Sequence, residues 1–189
     1  MDRVFLDANF LFSAAYGSPG LARPWAMAAV GGIELLSSGY AVSEAWRNLD
    51  LPEQRERLER LISVVTVVPE PDTAVPCPVD LPPKDRPVLL AAIQAGATHV
   101  LTGDLANFGP YRGRAVGGVL ICTPRDYLSA QGLSKGPLLA LVVRDRGAPR
   151  CCRWRPSLRQ AAMSQPPDDV DVGASQAGRT QEARFSMAQ

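Results

Sequence analysis

Residues 84–108 read KDRPVLLAAIQAGATHVLTGDLANF. Asp85 stands as an N-cap ahead of an apolar run, and Gly96 closes it, so a helix is predicted over 85–96. THVLTGD, residues 98–104, then reads as a strand that ends on an acid, Asp104. A second acid interrupts an apolar stretch near the start of the chain. In VFLDANFLFSAAY, residues 4–16, Val4, Phe5 and Leu6 read as the strand RVFLDAN, apolar because both faces are covered. Phe10, Leu11 and Phe12 read as further core. Asp7 and Asn9 lie between them, although burying an unpaired carboxylate costs several kcal/mol or more.

Between these two stretches the pattern alternates. A helix is predicted near 21–30, with Pro24 in its first turn, and a strand over GIELLSS (32–38). In AVSEAWRNL (41–49), Val42, Ala45, Trp46 and Leu49 fall on one helical face, and Glu44 lies in the first turn. PEQRERLERLIS (52–63) begins with proline and carries an acidic first turn, as a helix start does. VVTVV (64–68) reads as a strand and PEPDTAVPCPVDLPP (69–83) as a long surface loop. Beyond Phe108, GGVLICT (117–123) reads as a strand, PRDYLSAQG (124–132) as a helix with a capping arrangement at Thr123 and Asp126, and PLLALVV (137–143) as a strand or helical turn. Such alternation implies an α/β sandwich with a parallel sheet. From Arg144 to Gln189 there is no isoleucine and one leucine, so the chain divides into a domain at 1–143 and a disordered tail at 144–189.

Bulk chemistry narrows the function. The net charge of +1 gives no global basic field, so any nucleic-acid contact rests on local arginines. The sequence shows no run long enough to span a membrane and no leader, and a reduced, cytoplasmic protein is expected. His99 is the only histidine, and Cys77, Cys122, Cys151 and Cys152 show no CxxC spacing, which excludes a zinc site or a histidine triad.

The remaining chemistry is acidic. In parallel α/β sheets, sites form at the carboxyl ends of strands. Asp7 and Asp104 end strands, Asp85 begins a helix and Glu44 follows the second strand. Each also has an ordinary structural explanation: Asp7, Asn9 and Asp85 as helix caps, Glu44 as a partner of the helix dipole, and Asp104 as a turn residue. Carboxylates that converge repel one another unless a cation intervenes, and oxygen ligands without His or Cys suit Mg²⁺ or Mn²⁺. The chemistry that follows is metal-assisted phosphodiester hydrolysis.

VFLDANFLFS, SEAWRNL and KDRPVLLAAIQAGATHVLTGDLANF, with GVLICTPRDYL closing the pattern, resemble the PIN-domain ribonucleases, the fold of VapC-type toxins. The resemblance covers residues 2–130 and implies a three-layer α/β/α sandwich around a central parallel sheet. It implies that Asp7, Glu44, Asp85 and Asp104 are catalytic and metal-binding, with Asn9 and Thr102 hydrogen-bonding around them. Some relatives place a further acid where this chain has Asn107. The implied activity is endoribonuclease toxin, with an RNA substrate, a small antitoxin protein as partner and a homodimeric assembly. Arg47, Arg86 and Arg112 are candidate substrate clamps, together with Lys84, Arg114 and the rings of Phe108 and Tyr111. The alternative from another class is a PIN-fold module that binds RNA or protein without cleaving. A haloacid-dehalogenase-type phosphatase needs an acid where this chain has Asn9.

Overall fold

Val4, Phe5 and Leu6 are fully buried in the central strand, β1 (Asp2–Leu6). Successive side chains alternate faces, so Val4 and Leu6 join Phe10, Leu11, Val42 and Leu58 in one core cluster. Phe5 enters another, with Leu36, Val88 and Val100. Burial on both faces is why the strand shows no polar alternation.

The structure is a computed structural model that describes residues 1–132, all within one compact unit. The element expected at 137–143, the domain boundary, the tail at 144–189, and Cys151 and Cys152 lie outside the described residues. After β1 come α1 (Ala8–Tyr16), a 3₁₀ turn (Pro19–Ala22), α2 (Arg23–Ala29), β2 (Ile33–Ser38) and α3 (Gly39–Arg47). α4 (Pro52–Ile62), β3 (Thr66–Val68), α5 (Arg86–Gln94) and β4 (His99–Leu101) follow. A second 3₁₀ turn (Gly109–Tyr111), β5 (Ala115–Val116), β6 (Val119–Cys122) and α6 (Pro124–Ala130) complete the described chain. The six strands lie in the order β3-β2-β1-β4-β6-β5. All neighbours are parallel except β5 and β6. No helix among the described residues is long and apolar enough to cross a membrane.

Three sequence expectations need correction. The stretch after Asp7 is a helix, α1, that starts directly at Ala8. Its buried positions, Phe10, Leu11, Ala14 and Ala15, follow a helical face that three consecutive apolar residues had obscured. The sheet is mixed rather than purely parallel, because Gly117 and Gly118 form a two-residue hairpin turn instead of opening a strand. Both have positive φ, 58° and 85°, as the tight hairpin requires. A side chain at Gly117 would also meet Ile93 Cδ1 at 2.6 Å. Finally, α3 begins at Gly39, capped by the Ser38 hydroxyl accepting from Ala41 N at 3.2 Å, so Glu44 lies in the second turn and not the first.

β1 is also where the topology reverses. From β1 the chain moves to β2 and β3 on one side, then crosses to β4 and β6 on the other. The gap between β1 and β4 at their carboxyl ends is therefore a switch point, where α/β sheets open a crevice.

Candidate active site

Both residues that follow the switch-point strands are polar and buried. Asp7 is 6% exposed and Thr102 is 2% exposed. The Thr102 hydroxyl donates to Asp7 Oδ2 at 2.7 Å and accepts from Asp104 N at 3.0 Å. A single side chain thus ties the acid after β1 to the acid after β4. Asp7 Oδ1 accepts from Ala8 N at 2.6 Å, so Asp7 also caps α1. Asn9 Oδ1 accepts from Gly103 N at 2.9 Å and fastens the β4 loop to α1.

Asp104 is held by its own turn. Its Oδ1 accepts from Ala106 N and Asn107 N at 3.0 and 3.1 Å, and Asn107 Nδ2 donates to Oδ2 at 2.7 Å. Where relatives of the resembled family place a further acid, this chain has a hydrogen-bond donor to the fourth one.

Asp85 differs. It occupies the N-cap position of α5, yet its side chain makes no capping bond. Its Oδ2 is buried and has no hydrogen-bond partner, alone in this respect among the described residues. The cap explanation therefore fails for Asp85, and an orphaned carboxylate oxygen is left facing inward.

The acids sense one another. Burial pushes the Asp7 carboxyl up to about 6, against the Thr102 and Ala8 hydrogen bonds, and Glu44 and Asp85 add to the rise. Asp85 is raised first by burial, then by Asp104 and Glu44, while Lys84 opposes the shift. Glu44 and Asp85 thus act on Asp7, and Asp104 and Glu44 act on Asp85. Among the described residues no group of three or more His, Cys, Asp or Glu side chains is placed to hold a metal ion by itself. Mg²⁺ is commonly held by one or two carboxylates with several waters and substrate phosphate oxygens. The unpartnered Asp85 oxygen and the buried Asp7 carboxylate suit such a cation by donor chemistry.

The cations divide into two groups. Arg86 turns away from the acids: its Nε donates to Leu81 O at 2.7 Å, and a guanidinium nitrogen lies 3.8 Å from Asp80. Arg112 grips Asp126 through two bonds of 2.7 and 2.6 Å. Both arginines thus have partners within the fold. Arg47, in the last turn of α3, and Lys84 make no hydrogen bond or ion pair among the described residues. Of the expected stacking rings, Phe108 is 1% exposed within a core cluster of Leu81, Leu89 and Ile121. Tyr111 packs on that cluster, and its hydroxyl donates to Asp80 O at 2.9 Å.

No family model matches the chain, and no curated protein matches it closely enough to count as a relative.

Other nucleophiles lie elsewhere. His99 begins β4, at the opposite edge of the sheet, where its ring packs edge-on against Tyr127. Burial pushes the Cys122 thiol up to about 12, which leaves it unreactive at neutral pH. A cavity of about 570 Å³ lined by His99, Arg112, Cys122 and Tyr127 contains none of the four acids.

Sequence reading missed Ser37, Tyr40 and Glu70. Ser37, fully buried, donates to Leu6 O at 3.0 Å and ties β2 to the end of β1. Two serines ending an apolar strand were the available signal. Glu70 Oε1 accepts from Tyr40 N at 2.9 Å, a contact between distant elements that no local pattern encodes.

Arg112 gives a test of its structural role. Its two hydrogen bonds hold the Asp126 carboxyl well below the usual carboxylate range, and Asp126 in turn closes the capping box of α6 with Thr123. A depressed carboxyl contributes stability above its ordinary pKa and loses it as pH falls. Arg112→Ala should therefore move the acid-unfolding midpoint, followed by tryptophan fluorescence, to higher pH. RNA cleavage by this variant should match wild type, whereas a large loss of cleavage would return Arg112 to the substrate site.

Proposed function

We propose that this chain is a Mg²⁺- or Mn²⁺-dependent endoribonuclease of the PIN type, with Asp7, Glu44, Asp85 and Asp104 as its acids. The observation that carries the reading is the buried Asp7 at the switch point, whose carboxyl Glu44 and Asp85 both raise, together with the unpartnered oxygen of Asp85. Carboxylates whose pKa values burial raises, set at a crevice, are candidates for a functional site. Core clusters on both faces of the sheet support the three-layer α/β/α arrangement that accompanies this reading. A toxin role, with an antitoxin as partner and a dimeric assembly, belongs to the same proposal and rests on the sequence resemblance.

The roles follow from the contacts. Asp85 offers an unshared oxygen to the cation, and Asp7 a carboxylate whose orientation Thr102 and Ala8 fix. Asp104 and Glu44 complete the negative field, Asp104 being locked by Asn107. The cation, when bound, supplies an activated water and offsets charge on the phosphodiester oxygens. Arg47 and Lys84, which make no ion pair among the described residues, would neutralise substrate phosphates. Charge and position thus come from the protein, with no side-chain nucleophile.

The second reading, a module that binds RNA or protein without cleaving, draws on the lack of a ready three-acid chelate among the described residues. One experiment separates the two. The full chain is incubated with single-stranded and structured RNAs in Mn²⁺ and in EDTA. Cleavage in Mn²⁺ that stops in EDTA and in Asp104→Asn is the expected result. Cleavage that persists in EDTA would sink the metal mechanism, and RNA binding without cleavage would favour the binding module.

A further inference from the structure

Tyr40 occupies a place that the sequence reading had given to Phe108 and Tyr111. It is the second residue of α3, just beyond the carboxyl end of β2, and stands four residues before Glu44, so the two side chains share a helix face. Its ring packs on the cluster that contains Phe5 and Leu36 from the sheet and Val88 and Ala91 from α5. α5 is the helix that Asp85 begins. The ring therefore packs where α3 meets α5 and remains partly exposed.

The surroundings agree. Burial raises the Tyr40 phenol, with Glu44 and Asp85 adding to the rise and Arg47 and Lys84 opposing it. Two acids of the crevice and its two uncommitted cations thus all act on one phenol. The backbone beneath the ring is pinned by Glu70 Oε1 on Tyr40 N. Gly39 makes this possible, since a Cβ there would lie 2.7 Å from the Glu70 carboxylate. A partly exposed aromatic on a fixed backbone, within electrostatic reach of two cations without ion-pair partners, suits the stacking of an unpaired base.

We propose that Tyr40 is the stacking platform for one base of a single-stranded RNA, with Lys84 and Arg47 taking the phosphates that flank it. The proposal rests on the ribonuclease reading for its substrate class but not for cleavage. It assigns specificity to unpaired RNA, because a base within a duplex cannot present its face to the ring.

Binding is measured in EDTA, which separates it from catalysis. The probe is a single-stranded RNA of about ten nucleotides, within the usual site size. It carries a 2-aminopurine, and the full-length chain is titrated by anisotropy and by quenching. Tyr40→Leu, which keeps apolar packing but cannot stack, should weaken binding about tenfold and remove the quenching. Tyr40→Phe should retain both. Lys84→Ala should lower affinity and reduce the salt slope by about one. Equal thermal midpoints for wild type and Tyr40→Leu show that the loss is not one of folding. Wild-type affinity and quenching in Tyr40→Leu, or equal losses in Tyr40→Phe, would overturn the platform, as would failure of the wild-type chain to bind the probe. Tyr40-dependent binding without Mn²⁺-dependent cleavage would keep the platform and reject the nuclease.

Discussion

Asp7→Asn is expected to abolish Mn²⁺-dependent RNA cleavage and, at the same time, to raise the thermal stability of the metal-free protein. Removing groups that merely support a metal ligand lowers activity about 10–100-fold, so replacing the buried acid itself should cost at least about 100-fold. The stability effect has the opposite sign for an electrostatic reason. Burial raises the Asp7 carboxyl from 3.8 to about 6, so the folded protein holds this proton more tightly than the unfolded chain. A group of that kind stabilises fully below its unfolded pKa, and the contribution is lost as pH rises through about 6. Above that pH the ionised Asp7 destabilises the metal-free fold by up to about 3 kcal/mol. Asparagine removes the charge and still accepts from Ala8 N, although the Thr102 hydroxyl must turn to find an acceptor. A net gain of about 1–2 kcal/mol follows, read as a rise of about 5 °C in the melting midpoint at pH 7.5 in EDTA. The gain should vanish near pH 4. Mn²⁺ should raise the midpoint of wild type and not of the variant, because only the former binds it well. Cleavage within tenfold of wild type, or a lower midpoint at pH 7.5, would leave Asp7 as a helix cap and nothing more.

How much of this was legible in the sequence depended on whether the signal was local. The helix at α5, the strand β4 and the capping box of α6 were readable, because Gly96, Thr123 and Asp126 carry their meaning within a few residues. α1 was not readable, since Phe10, Leu11 and Phe12 stand side by side and hide a helical period behind an unbroken apolar run. The Gly117–Gly118 turn was absorbed into the next strand because only two residues, Ala115 and Val116, pair on its far side. At the site, the acids were visible as interruptions of apolar runs. Their distinctions were not. Asp7 and Asp104 do serve as cap and turn residues, as the ordinary readings had it, while Asp85 does not cap and is left unpartnered. Only the folded chain separates these cases: Asp7 gains Thr102 as a distant partner, while Asp85 Oδ2 gains none. The arginines' partners were not legible: that Leu81 accepts from Arg86 and Asp126 from Arg112 appears only in the fold. A cation's neighbours in sequence say little about which carbonyl or carboxylate its flexible stem reaches.

Thr102→Val should be the most damaging change that leaves all four acids in place. The substitution preserves shape but deletes a buried hydroxyl that donates to Asp7 Oδ2 and accepts from Asp104 N. Neither group finds a new partner in valine, and a lost hydrogen bond to a charged group costs about 1.5–3 kcal/mol. The cost should depend on pH. The Thr102 bond lowers the Asp7 carboxyl against burial, so without it the folded pKa climbs further above about 6. Destabilisation in EDTA should therefore be larger at pH 8 than at pH 5. Activity should follow the same logic. With Asp7 harder to ionise and Asp104 less firmly placed, cleavage should fall about 10–100-fold. The acidic limb of the kcat/KM profile should also shift to higher pH. Thr102→Ser, which restores the hydroxyl, should recover the profile even if it packs less well. A residue that only fills space would lose stability equally at both pH values and leave the acidic limb where it was. That outcome would break the proposed link between the ends of β1 and β4, and with it the reading of Asp7 and Asp104 as parts of one site.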